Sequence, residues 1–121
     1  AGPSPVHFCG ARAAQLEKAL SHVRKGITMA PNATALYMTA ADVYELMHDM
    51  SSAASHLRYA VRLTEGSQEV RYRLAKVLTL RARGWIAQGM FDRASTDFAE
   101  ATKLKPMDGQ LWIMLAMCHV Q

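Results

Sequence analysis

His7 and Cys9 stand one residue apart near the start of the chain, and Cys118 and His119 are adjacent near its end. Imidazole and thiolate are ligands that zinc prefers, so these two pairs are the first place to look for a metal. Zinc sites draw four ligands from recognisable spacings, whereas here the pairs lie at opposite ends of the chain with no C-x-x-C between them. No metal and no other cofactor is expected. The remaining histidines, His22, His48 and His56, are scattered, and none pairs with a serine, cysteine or carboxylate in a recognisable nucleophile motif. A glycine-rich phosphate loop is missing as well. With no catalytic constellation, the chain reads as a non-enzyme.

The two thiols point to a compartment. Cys9 and Cys118 are the only cysteines, which suits free thiols in a reducing environment. The opening AGPSPVHFCG has no basic stretch followed by an apolar one, so it does not read as a signal peptide. The most apolar run, 111-LWIMLAMCHV-120, is about half the length that a bilayer requires. A cytoplasmic protein with no membrane partner is the expectation.

Net charge is +4, and its distribution says more than its total. Between Val70 and Phe91 lie five basic residues, Arg71, Arg73, Lys76, Arg81 and Arg83, and no acidic one. A solvated helix face is the ordinary meaning of such a run. A contact for an acidic partner is the sharper one, and both readings stand at this point.

The elements that position these residues emerge from composition and repetition. Half of the 121 residues are apolar, glycine and proline are sparse, and alanine, leucine, methionine and arginine are plentiful, so an all-α protein is expected. Ala19, Val23, Gly26 and Met29 form a ladder at offsets of 4, 3 and 3. It returns 34 residues later as Ala53, Leu57, Ala60 and Leu63, and 41 residues after that as Ala94, Phe98, Ala101 and Leu104. A second ladder shares both intervals: Ala40, Ala41 and Tyr44, then Leu74, Ala75 and Leu78, then Leu115, Ala116 and His119. The spacings put each set on one face of a helix. Between them, 30-APNA-33, 65-EGS-67 and 105-KPMDG-109 carry the residues that stop helices.

A helix pair of this length, with a large residue opening helix A, small residues at set points of both helices and a closing proline, resembles the tetratricopeptide repeat (TPR). Tyr37 and Trp112 match its opening aromatic, and Ala41, Ala75 and Ala116 its small residue in helix A. In helix B the match runs through Ala53 and Ala94, the bulky Leu57 and Phe98, and Ala60 and Ala101, with Pro31 and Pro106 closing the units. Glu65 in place of proline, Gly26 in place of alanine and His119 in place of tyrosine depart from the pattern, as does the longer middle unit. The implied fold is a right-handed α-α superhelix of about six antiparallel helices. Its parts are an irregular segment at 1–11, a half repeat at 12–33, a full repeat at 34–67, a lengthened repeat at 68–108 and a terminal helix at 109–121, together forming a segment of a longer array.

The resemblance implies function through a concave groove lined by the A helices. Groove positions carried over residue by residue include Met38, Asp42 and Glu45, then Tyr72, Lys76 and Thr79, then Ile113 and Met117. Mixed acid, base, aromatic and methionine suits a peptide segment, or neighbouring subunits of a larger assembly. Members that grip the C-terminal carboxylate of heat-shock chaperones use lysine, asparagine and arginine at positions that here hold Met38, Asp42, Arg73, Gln110 and Met114, so no such clamp is expected.

The run 49-DMSSAASHLRYAVRL-63 with the lengthened middle unit is also similar to a ciliary type within this family. That similarity implies the alternative of a structural component of an axoneme or other filament, using the basic patch and exposed helix ends. RNA binding by a related helical repeat is the third reading, disfavoured by Asp42, Glu45 and Glu69 in the groove. The insertion, within 78-LTLRARGWIAQG-89, is seven residues long. Seven residues are close to two helical turns, so the apolar stripe stays in phase. The spacing therefore predicts a lengthened helix whose end projects beyond its neighbours, carrying Arg81, Arg83 and Trp85 as an outer contact surface.

Overall fold

The computed structural model describes residues 5–120, with side chains described from Gly10 onward. Six helices follow one another: α1 (Pro5–Met29), α2 (Thr34–Leu46), α3 (Met50–Leu63), α4 (Gln68–Ala87), α5 (Phe91–Leu104) and α6 (Gly109–Cys118). No strand occurs among the described residues. The main contacts join each helix to the next in sequence, which is the arrangement of a helical solenoid.

Local chemistry sets the boundaries. Asp49 caps α3 by accepting from the Ser52 backbone N–H at 3.0 Å and from the Ser52 hydroxyl at 2.7 Å. Asp108 does the same for α6, accepting from the Gln110 N–H at 3.1 Å. At the other end, α4 runs into Gly89 at φ +74°, a left-handed conformation that glycine adopts without steric cost. The Met90 N–H then closes the turn on the Trp85 carbonyl at 2.8 Å.

Small residues let the helices approach. Ala53, Leu57 and Ala60 of α3 and Ala94, Phe98 and Ala101 of α5 have no exposed surface, each leucine or phenylalanine filling the space its flanking alanines open. Gly26 holds the matching place in α1. A β-carbon there would lie 3.0 Å from Leu36 Cδ2, so an alanine like that of the later units would require the Leu36 side chain to shift.

Two expectations need correction. Helix α1 begins at Pro5 instead of near residue 12, so residues 5–11 are helical; residues 1–4 of the expected irregular segment lie outside the described part. Proline's fixed φ suits a first helical turn, and Ala11, Ala13 and Ala14 are strong helix formers. Helix α4 is lengthened and continuous as the spacing predicts, but its end does not stand free. Ala82 is fully buried, and Trp85 and Ile86 pack on the core, because α5 doubles back along the added turns.

Gly84 lies inside α4, exposed, with nothing within 4 Å of where a β-carbon would sit. Gly84→Ala should therefore stabilise the fold by about 0.5–1 kcal/mol. Thermal unfolding followed by circular dichroism should show a Tm increase of about 2–5 °C.

Candidate binding groove

Helices α2, α4 and α6 supply the residues expected on the groove face. Four places on α4, Tyr72, Lys76, Thr79 and Arg83, recur at offsets of 4, 3 and 4, so they form one stripe along the helix. The stripe borders a cleft of about 360 Å³ between α4 and the start of α6, completed by Ala75, Leu80, Lys105, Asp108, Gln110 and Leu111. Tyr72 is 40% exposed there. Its hydroxyl accepts from Gln68 Nε2 at 2.9 Å, and Lys105 Nζ stands 4.6 Å from its ring centroid. Lys105 is also 3.5 Å from Asp108, which leaves one acid in the cleft, already paired.

The structure thus brings Tyr72, Lys76 and Thr79 together and adds Arg83. Met38, Glu45, Ile113 and Met117 do not line this cleft. Met38 packs against the core, Glu45 is half-buried, and Ile113 and Met117 are exposed on α6. Asp42 is hydrogen-bonded to Arg73, which ties α2 to α4 across the groove floor.

The five basic residues do not make one patch. Arg71 takes the place that Tyr37 and Trp112 hold in the neighbouring units. There the Tyr37 hydroxyl donates to the Pro31 carbonyl at 2.6 Å and the Trp112 Nε1–H to the Pro106 carbonyl at 2.9 Å. The middle unit has Glu65 instead of that proline, and Arg71 turns instead to the carbonyl of Leu104 at 3.4 Å, favourable for a cation at a helix C-terminus. Its Nε is buried without a hydrogen-bond partner. Arg73 is held by Asp42. Arg81 forks onto Asp97 at 2.9 and 2.6 Å and reaches Ser51 Oγ at 3.2 Å. Only Lys76 and Arg83 of the five are exposed, and no hydrogen bond or ion pair engages either.

Trp85, expected on the outside, points to the same carboxylate as Arg81. Its Nε1–H donates to Asp97 Oδ2 at 3.1 Å, and Arg93 covers its ring at 5.0 Å. Asp97 is 2% exposed, so three charge-assisted donors satisfy a carboxylate sealed between α4 and α5. A signal for this existed in the sequence: Asp97 falls three residues after Ala94 and four before Ala101, on the apolar stripe of its helix. A second fork joins Arg58 of α3 to Glu100 of α5, both bonds 2.8 Å. Hydrogen bonding to Arg58 holds the Glu100 carboxyl below its ordinary range and raises the Arg58 guanidinium.

Among the described residues no group of three or more His, Cys, Asp and Glu is placed to hold a metal ion. The His7 and Cys9 side chains lie outside the described part. Burial pushes the Cys118 thiol up, which makes it a poor nucleophile. No helix among the described residues is long and apolar enough to cross a membrane.

No family model and no curated protein matches the sequence. Solved structures do match the fold. A thermophilic TPR protein of Thermus thermophilus is 25% identical, with a TM-score of 0.50 over 90% of this chain and 52% of that one, so the present chain spans about half of its length. The first TPR of Spaghetti (RPAP3), bound to the HSP90 peptide SRMEEVD, is 18% identical with a TM-score of 0.52 over 89% of this chain and 80% of that one. The Yersinia enterocolitica type III secretion chaperone SycD, in complex with a peptide of the translocator YopD, is 12% identical with a TM-score of 0.54, covering 93% and 86%. None of these matches favours the ciliary type.

Two substitutions probe the polar ties. Asp97→Asn leaves Arg81 without its counter-charge in a largely buried place and should cost about 2–4 kcal/mol in urea unfolding. Glu100 and Asp49 both have folded-state pKa values lowered by the hydrogen bonds they accept, so they stabilise the fold fully above their ordinary values of 4.5 and 3.8. That contribution drains away as pH falls through the lower folded values. Tm should hold steady from pH 7 to about 5 and fall below that. Glu100→Gln should start about 0.5–1 kcal/mol lower at pH 7, since its pair is one-third exposed, and lose less on acidification.

Proposed function

We propose, from the premise that this chain is built of tetratricopeptide repeats, that it is a non-catalytic scaffold which binds a segment of a protein partner along its groove. The observation that carries the reading is the cleft between α4 and α6, where a half-exposed tyrosine and a stripe of polar and basic groups converge on open space. Concave sites lined by an aromatic anchor and a few fixed polar groups are the usual form of a peptide subsite. Peptide binding by the first TPR of Spaghetti and by SycD supports the same use of the fold. A reducing, cytoplasmic setting fits a chain whose described cysteine is an unpaired thiol.

The chaperone-tail clamp has little support in this groove. Arg73 is the one donor at the clamp positions, and Asp42 already occupies it. The filament alternative, in an axoneme or elsewhere, draws on the basic patch and on exposed helix ends, and Arg71, Arg73 and Arg81 of that patch are engaged internally. RNA is disfavoured by Asp42, Glu45 and Glu69 along the groove.

Selection of twelve-residue peptides from a random displayed library tests the reading. Binders are expected whose affinity falls about tenfold on Tyr72→Ala, with Gly84→Ala as a neutral control. A peptide ending in the SRMEEVD sequence should bind no more tightly as the free acid than as its C-terminal amide, because Asp42 occupies the one clamp donor, Arg73. Selected peptides indifferent to Tyr72→Ala, or none selected at all, would remove the groove from the account.

A further inference from the structure

The groove is not uniform in charge. On the α2 side Asp42 and Arg73 cancel each other, with Glu45 and Glu69 nearby. On the α4–α6 side three cations, Lys76, Arg83 and Lys105, surround the cleft, and Asp108 is the only acid lining it. Lys105 is engaged by Asp108 and by the Tyr72 ring, so the unanswered charge rests on Lys76 and Arg83. These two are seven residues apart on one helix, two turns or about 10.5 Å along the axis, with the Thr79 side chain between them. Thr79 spends its hydroxyl hydrogen on the Ala75 carbonyl at 2.8 Å, so its oxygen adds no competing donor.

Resting on the peptide-binding reading, we infer that this half of the groove selects acidic segments: Lys76 and Arg83 each take a carboxylate of the partner, and Tyr72 takes a neighbouring apolar or aromatic side chain. The two cations cost little to leave in water when the groove is empty, and they gain an oriented partner when an acidic chain lies along α4. An extended chain advances about 3.3 Å per residue with side chains alternating between its faces, so two acids two or four residues apart share a face at about 7 or 13 Å, a spacing that the long Lys76 and Arg83 side chains can bridge. Lys105 stays with its internal partners and closes the Tyr72 end. A nucleic acid is the weaker fit, since Tyr72 is the single aromatic on the cleft wall, which leaves no run of stacking surfaces.

The peptides selected on the 121-residue chain provide the test. They should be enriched in Asp and Glu, and a representative binder should lose at least tenfold in affinity on the pair of exposed substitutions Lys76→Glu and Arg83→Glu, with unchanged circular dichroism. Raising salt from 50 to 300 mM should weaken the wild type about five- to tenfold and the charge-reversed variant hardly at all. Binders that need Tyr72 but carry no acid enrichment, or that ignore the charge reversal, would overturn the acidic assignment while leaving the groove reading intact. A poly-uridine oligonucleotide that binds more tightly than any selected peptide, and is lost on the same reversal, would overturn it in favour of RNA. Failure to select any peptide would remove both readings together.

Discussion

Close approach of helices at alanine is the constraint on which the rest of the molecule depends. Ala53, Ala60, Ala94 and Ala101 are fully buried and put no more than a methyl group between neighbouring backbones, and Leu57 and Phe98 between them have no exposed surface either. A larger residue at any of the four would push neighbouring helices apart and shift every unit beyond it, because each helix in a solenoid is positioned only by the ones beside it. The concave face, and with it the spacing between α4 and α6, is a sum of these local crossings.

Polar ties refine the stack and also decide which charges remain for binding. Tyr37 and Trp112 latch the start of their helices to a preceding proline carbonyl, and Arg58 with Glu100 joins the two B helices α3 and α5. Asp97 gathers Arg81 and Trp85 into a sealed site. Of these groups, Arg81 and Trp85 are the ones that the sequence offers to a partner. The groove therefore carries far less unpaired positive charge than a run of five basic residues suggests, and what it does carry is focused in one cleft.

Much of the architecture was legible because periodicity is a local property. Ladders at 34- and 41-residue intervals locate helix pairs, stop residues locate turns, and the matching positions predict which residues share a face. Tyr72, Lys76 and Thr79 share a cleft because they share a helical stripe. Pairing between helices is different in kind. Arg81 meets Asp97 across 16 residues, Arg73 meets Asp42 across 31 and Arg58 meets Glu100 across 42, and nothing in a one-dimensional pattern ranks those acids against others within reach. Lys105 was missed for a related reason: it lies in a turn, outside either ladder, and enters the cleft only through the path of the chain between α5 and α6.

The seven extra residues of α4 connect these levels. Helix α2 has 13 residues and α4 has 20, and both begin at matching places in their units. A helix of the shorter length would end near Leu80, so Arg81, Arg83 and Trp85 exist only because of the added turns. Two turns preserve the facing of every residue, so the insertion extends two stripes at once. On the inner side Ala82 continues the core, and Arg81 and Trp85 close on Asp97, which anchors the extension to α5. On the groove side Arg83 continues the line of Tyr72, Lys76 and Thr79. Every added residue continues the register set by the start of α4, so the same extension that brings Arg81 and Trp85 onto Asp97 also carries Arg83 along the groove stripe.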